Sequence, residues 1–266
     1  MFKKTVYLCT IVLLFESCFK VPISDRRQLN LLPESTMIGM SITSYKEFLT
    51  KNPSVPVGDA QVQMVKNVGA KIQSAVTRYL GQKHLSDRVK GYKWEFNLVN
   101  DNTVNAWCMP GGKVVVYSGL LPVTQDEAGL AVVMGHEIAH AIARHGNERM
   151  SQGLALQLGG VGIQLALSQK PQETQNLFLQ SYGIASTLGT LKYSRVHESE
   201  ADKMGLVFMA MAGYDPSVAI QFWERMSKQS NGAKPLEILS THPSDDTRIK
   251  DIKAYLPQAM KYYQKR

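Results

Sequence analysis

From Asp59 to Leu80, apolar residues fall at Val62, Val65, Val68, Ile72, Val76 and Leu80. Steps of three and four put these on one stripe of a helix, which Gly81 can end. Trp94–Val99 alternates and predicts a strand. Ala106–Met109 and Lys113–Tyr117 predict two more, joined through Pro110-Gly111-Gly112. Glu127 to Arg144 is apolar and Ala-rich, at a length that suits a buried helix. Thr124-Gln125-Asp126-Glu127 reads as its capping box, with Thr124 at the N-cap, and Arg144-His145-Gly146 as its last turn.

Leu154 to Leu167 is apolar but broken by Gln157, Gln164 and three glycines in four residues. That pattern suits a flap, a partner surface or an irregular buried helix equally well. Helices are predicted from Glu173 to Leu191 and from Glu198 to Ala212. Gly213 closes the latter, and Asp215 caps the next, with Pro216 at N1 and Phe222, Trp223 and Met226 turned inward to about Gln229. A last helix is expected from Ser244 to about Tyr255. The pattern gives an α+β fold, mostly helical, with a small sheet beside the helix over 127–144. Residues 57–266 form one domain. Residues 18–56, with four prolines and short strand or helix pieces at 26–31 and 44–49, read as an N-terminal arm laid on it.

The start of the chain has another character. Lys3 and Lys4 precede an apolar run from Thr5 to Phe15, which is too short to span a bilayer and suits an export signal. Glu16-Ser17-Cys18 follows, a small residue before a cysteine, as in bacterial lipoprotein signals. The expectation is a signal peptide over 1–17, acylation of Cys18, and an exported protein facing the periplasm from the outer membrane.

Composition adds little. The hydrophobic fraction is 44% and the charged fraction 20%, as in a globular domain. The net charge of +8 favours anionic surfaces such as membranes, but there is no dense basic run, so no nucleic-acid partner is expected. The three cysteines, Cys9, Cys18 and Cys108, have no zinc-ribbon or redox spacing, and no disulfide is expected.

The chemistry lies in His136-Glu137-Ile138-Ala139-His140. On a helix, positions i and i+4 share a face, so both imidazoles can point at one ion while Glu137 reaches a water beside it. This is the pattern of zinc hydrolysis, with two histidine ligands, a glutamate general base and an open position. A third ligand is required, and Glu198, Glu200 and the other histidines are candidates. Glu198 and Asp202 stand at i and i+4, a ligand with an acid able to hold the far nitrogen of a bound histidine. Glu200 lies about 200° round from Glu198 and faces away, and His145 lies about 140° round from His140, so it is not a ligand of the same ion. His197 points about 100° from Glu198. His84 reads as a surface residue, and Cys108 as a small buried hydrophobe.

His136–His140, Glu198-Ser199-Glu200-Ala201-Asp202 and Thr241-His242-Pro243 together resemble the HtpX-like and CAAX-prenyl-protease-like zinc metallopeptidases, which are gluzincins. Asn105-Ala106-Trp107 and Pro110-Gly111-Gly112 extend the likeness, which is greatest to the soluble periplasmic BepA/LoiP-type branch. The resemblance implies one zinc ion on His136, His140 and Glu198, with Asp202 beside them and Glu137 as base. It also brings His242 to the site, as an oxyanion donor or as a fourth ligand that blocks it. Arg248 is expected to neutralise Asp202 or Glu198, or to pair with acids facing solvent. The sheet edge at Met109, Pro110, Gly111 and Gly112 is expected to receive an extended substrate. The implied role is cleavage of misfolded or misassembled envelope proteins. The competing reading is a chaperone-like zinc lipoprotein, or an inhibited peptidase, that binds the same clients; the presence of Glu137 favours hydrolysis.

Overall fold

The computed structural model describes residues 18–158, 171–184, 193–230, 236–242 and 246–264. The chain begins with a two-stranded antiparallel hairpin, β1 (Cys18–Lys20) and β2 (Arg27–Leu29), and continues into helix α1 (Glu34–Lys51). Helix α2 (Ala60–Gln82) leads to a three-stranded sheet of β3 (Glu95–Val99), β4 (Ala106–Met109) and β5 (Lys113–Tyr117). A short helix α3 (Leu121–Thr124) precedes α4 (Glu127–Ala143), α5 (His145–Leu158) and α6 (Pro171–Ser181). Then come α7 (Arg195–Met211), α8 (Val218–Ser230), the one-turn α9 (Glu237–Thr241) and α10 (Asp246–Ala259). The result is the expected α+β fold, mostly helical with one small sheet against α4.

The sheet runs β3-β5-β4, with β3 parallel and β4 antiparallel to β5. Val114, Val116, Ala106 and Cys108 face a core shared with α2, α4, α7 and α8. Val115, Tyr117, Trp107 and Met109 face a second core with Met37, Tyr45 and Phe178. Burial on both faces explains why Val114–Val116 is an unbroken apolar run rather than an alternating one.

Several boundaries differ from the sequence expectation. Helix α7 starts at Arg195, three residues before the expected Glu198, because Ser194 caps it by accepting from His197 N. The arm contains an 18-residue helix, α1, where only short pieces were expected. Its buried face includes Ser41 and Ser44, which weaken the apolar spacing. Helix α4 is capped by Asp126, whose side chain accepts from Gly129 N at 2.8 Å, and not by Thr124. Gln125, at φ 71°, turns the chain between them, and the Thr124 hydroxyl donates back to Leu121 O. Arg144 ends α4 in the left-handed conformation, φ 61°, and Gly146 lies inside α5 against the Tyr182 ring. Helix α8 starts two residues later than expected, after a turn in which Asp215 Oδ1 accepts from Ser217 N.

The helix over 59–80 matches α2, with Asp59 as its N-cap. The Gly-rich expectation reaches α5 only as far as Leu158, and its remainder lies outside the described residues, as does Ser244. The helix expected over 173–191 ends early, at Ser181, because Gly183 turns the chain at φ 71° and Ile184 N donates back to Leu179 O; residues 185–191 lie outside the described residues. So do residues 1–17 and the Cys18 side chain, on which the export and acylation expectations fall. No helix among the described residues is long and apolar enough to cross a membrane.

Candidate active site

Helices α4 and α7 make the most extensive helix–helix contact among the described residues. They cross at Gly135 and Gly205. A Cβ on Gly205 would stand 3.0 Å from His136 N, and one on Gly135 would stand 3.1 Å from Gly205 O. Two glycines thus let backbone meet backbone. This close crossing sets Glu198 and Asp202, on the first two turns of α7, against His136 and His140 on α4.

The site is buried. His136, Glu137, His140, Glu198 and His242 are each no more than 5% exposed. His136 Nε2 lies 3.0 Å from His140 Nε2, and Glu198 lies 3.4 Å from the first and 3.3 Å from the second. His242 Nδ1 is 3.2 Å from His136 Nε2 and 3.0 Å from Glu198 Oε1. Donors held 2.0–2.1 Å from a central zinc stand roughly 3.3–3.4 Å apart at the corners of a tetrahedron. These five separations are close to that spacing, all four donors lie within 4.8 Å of one another, and nitrogen and oxygen donors of this kind are those zinc takes.

The electrostatics agree. Burial alone would lower the His136 pKa, but the charge of Glu198, with help from the Asp202 hydrogen bond, lifts it to about 9 against the opposing Arg248. Burial would raise Glu198, yet His242, Arg248 and His136 hold it well below the usual carboxylate range. His140, by burial, is kept neutral. The carboxylates call for positive charge at the centre of this cluster, and a zinc ion meets that demand.

Around the cluster each ring is held from behind. His136 Nδ1 pairs with Asp202 Oδ1 at 2.9 Å. Arg248 donates to both Asp202 oxygens at 2.8 Å and lies 3.0 Å from Glu198 Oε2, off the line of a good hydrogen bond. It therefore neutralises both acids, as one of the two expectations for it had it. Its guanidinium sits 3.4 Å over the Trp223 ring, which in turn edges His136. Tyr193 packs on both His140 and His242, with ring centres 4.0 and 5.0 Å away. Nothing in the motif spacing pointed to Tyr193, since it precedes α7 outside any pattern.

Glu137 lies beside the cluster. Its Oε1 has no hydrogen-bond partner and is 3.5 Å from His242 Nε2. Burial pushes its carboxyl above the usual range, against the pull of His242 and His136. That is the direction a general base working near neutrality needs.

His84 is exposed and Cys108 is a free, buried thiol pushed up by burial. Met109, Pro110, Gly111 and Gly112 are all buried. Gly111 and Gly112 make the β4–β5 turn at positive φ, under Ile38 and Trp94. Helix α1 packs on this turn through Ile38, and the other end of β4 lies against α9. There Val104 O accepts from Ile238 N of α9, four residues before His242.

Three residues set aside from the ligands prove to be buried behind them. His145 is not a ligand, but its Nδ1 is 2.9 Å from His140 Nδ1. Glu200 faces away from Glu198 yet is only 3% exposed, and it pairs with His145 Nε2 at 3.0 Å. His197 stacks on His145 and pairs with Glu148 at 3.1 Å. The helical angle that separated His145 from His140 assumed one continuous helix, and the left-handed Arg144 bends the chain so that the two rings meet.

A two-histidine, one-glutamate zinc site on two crossed helices, with a glutamate inside the H-E-x-x-H motif, defines a metallopeptidase of the gluzincin kind. The model of peptidase family M48 matches residues 67–256. The chain belongs to that family, and its site is that of a zinc metalloendopeptidase. It is similar to mitochondrial metalloendopeptidase OMA1 of Schizosaccharomyces pombe, 34% identical over 240 residues that cover 90% of this chain and 66% of that protein. OMA1 of Saccharomyces cerevisiae is 32% identical over 254 residues, covering 92% and 71%. The beta-barrel assembly-enhancing protease of Yersinia pestis is 29% identical over 240 residues, covering 84% and 48%. The chain thus spans about two thirds of the two fungal proteins and about half of the bacterial one. These relatives fall in both a mitochondrial and a bacterial branch, so the family stands and the narrower bacterial branch does not follow from it.

Proposed function

We propose that this protein is a zinc-dependent endopeptidase of the bacterial cell envelope that cleaves misfolded or misassembled proteins. The observation that carries the activity is the buried quartet of His136, His140, Glu198 and His242, with an unpartnered Glu137 oxygen beside it. His136, His140 and Glu198 would hold the metal. Zinc there supplies a Lewis acid and lowers the pKa of water to near neutrality.

The chain's own residues do the rest. Asp202 fixes the His136 ring, and Arg248 balances the Asp202 and Glu198 charges. Glu137 takes the proton of the attacking water and returns it to the leaving nitrogen of the peptide. A cavity of about 250 Å³, lined by Tyr193, Glu198, Asp202, Leu206, Arg248 and Tyr255, adjoins the site and suits a substrate side chain. A larger cleft of about 610 Å³ meets Asn105 at the start of β4 and suits the approaching strand.

The setting rests on the N-terminal segment. Lys3 and Lys4, the short apolar run and Cys18 support export and a lipid anchor in the outer membrane, facing the periplasm. Membrane fractionation of a Cys18→Ala variant tests this, and unchanged membrane association would remove the lipid anchor. The beta-barrel assembly-enhancing protease among the relatives supports an envelope client.

The test of the activity is casein cleavage with and without chelator. Glu137→Gln should keep its zinc and lose nearly all turnover, and undiminished cleavage would overturn the assignment. A second reading, a latent peptidase that holds its clients before cutting them, is favoured by one observation: His242 fills the fourth corner of the donor set.

A further inference from the structure

Behind His140 runs a buried chain of hydrogen bonds that ends in the N-terminal hairpin. His140 Nδ1 meets His145 Nδ1 at 2.9 Å, and His145 Nε2 meets Glu200 Oε2 at 3.0 Å. The Glu200 carboxylate can only accept, so His145 carries its hydrogen on Nε2. His145 Nδ1 is then an acceptor, and His140 Nδ1 donates to it. This leaves the His140 Nε2 lone pair pointing at the donor cluster, the tautomer a metal ligand requires.

What holds Glu200 comes from outside the helical core. Arg26, in the turn before β2, donates through Nε to Glu200 Oε1 at 3.0 Å and through Nη2 to Glu200 Oε2 at 3.0 Å. The same guanidinium reaches Glu148 Oε1 at 2.7 Å and Oε2 at 2.8 Å. Ser24 of the same turn also donates to Glu200. Glu148 and Glu200 are 4% and 3% exposed, and a single arginine from the hairpin forks onto both. Two buried carboxylates are costly to leave without their cation. The hairpin and the start of the arm behind it dock at further points: Gln28 Nε2 donates to Glu148, Leu31 N after β2 donates to Ser151, and the carboxylate of Glu34, the first residue of α1, pairs with Arg144 at 3.1 Å.

We propose that Arg26 is a positioning residue for the metal site. The docked hairpin locks the Glu200–His145–His140 relay in the orientation that lets His140 bind zinc, so hairpin docking and zinc binding are coupled. The coupling is reciprocal: whatever factor docking adds to zinc affinity, zinc adds to docking. Any force or partner that lifts the hairpin would then weaken the metal site from behind. This rests on the zinc site proposed above.

The test uses the full chain. In the wild type, hydrogen exchange at residues 20–30 should slow when zinc replaces chelator, while exchange at residues 60–82 changes less. In competition with a fluorescent chelator, Arg26→Gln should bind zinc roughly ten- to a hundredfold more weakly, the range for partners of metal-bound histidines. Arg26→Lys, which keeps charge without the fork, should recover part of the loss. Arg27→Gln, on the exposed neighbour, should bind as the wild type does. His145→Ala should remove most of the effect of Arg26→Gln, because Arg26 acts through that ring; a merely structural role would give additive losses. Wild-type zinc affinity in Arg26→Gln, additive losses, or hairpin exchange indifferent to zinc would overturn the proposal. If Arg26→Gln does not fold, the wild-type exchange measurement decides alone. A wild-type chain that binds no zinc overturns the metal site itself, whereas zinc binding without hairpin linkage overturns only the role of Arg26.

Discussion

Asp202 Oδ1 accepts a hydrogen from His136 Nδ1 at 2.9 Å, and this bond turns the other nitrogen of the ring toward His140 and Glu198. Arg248 holds the same carboxylate through two further bonds. Asp202→Asn keeps the size of the side chain but loses its charge and an acceptor. Zinc affinity should fall by about ten- to a hundredfold, read by chelator competition. Asp202→Ala should also lower stability, because Arg248 would lose its paired acid in a buried site, a loss of about 3–5 kcal/mol for such pairs. Thermal unfolding of the two variants separates these effects.

Much of this site was legible in the sequence because helix geometry is regular. The spacing of His136 and His140, and of Glu198 and Asp202, fixes which side chains share a face without knowledge of the fold. What could not be read depends on where the chain bends. Arg144 adopts a left-handed conformation that costs a non-glycine residue about 1–3 kcal/mol, and the neighbouring Gly146 was the natural guess for it. That bend alone converts His145 from a bystander into the residue behind His140. The N-terminal arm was harder still. Its helix α1 buries serines, and the contacts of Arg26 span 122 and 174 residues of sequence, a separation no local pattern records.

The crossing of α4 and α7 gives a stability prediction with an internal comparison. Replacing a helical glycine by alanine gains about 1 kcal/mol in propensity. At Gly39, exposed in α1 with nothing near its Cβ position, that gain should appear in full as a higher denaturation midpoint. At Gly205 the new methyl would press on His136 N, a backbone atom that cannot swing aside. Overpacking costs about 1–3 kcal/mol, which outweighs the propensity gain. Gly205→Ala should therefore be destabilised and bind zinc less tightly, since the displaced helices carry the ligands. A stabilised Gly205→Ala variant would show that the crossing has slack.

Glu148 makes part of the stability depend on acid. Burial would raise its pKa, but the hydrogen bonds from Arg26 and His197 outweigh this and hold it at about 2, against an ordinary 4.5. A carboxyl depressed on folding stabilises the native state above its unfolded pKa, and that contribution is lost as pH falls toward the folded value. The loss should therefore occur between about pH 4.5 and 2. Denaturant midpoints across this window should drop more steeply in the wild type than in Glu148→Gln, which has no proton to gain. Equal slopes would mean that the Glu148 contacts contribute little in solution.

His242 carries the last prediction, because the two roles open to it predict opposite outcomes. Its Nδ1 stands within 3.2 Å of His136 Nε2 and 3.0 Å of Glu198 Oε1, at the corner of the donor set that hydrolysis needs open. Its Nε2 faces the otherwise unpartnered Oε1 of Glu137 at 3.5 Å. One ring thus stands between the general base and the place where it would act. A donor that stabilises an oxyanion has to leave that corner to water and substrate, whereas a blocking ligand would occupy it. The stack on Tyr193 keeps the ring there. His242→Ala should accordingly raise basal casein cleavage and, with one donor fewer, weaken zinc retention in chelator competition. The oxyanion-donor role predicts the reverse for cleavage, a fall of about a hundredfold or more in turnover. Measuring both quantities on one preparation is decisive, since a faster enzyme with looser zinc fits only a blocking ligand, and a slower enzyme with zinc affinity intact fits only a donor.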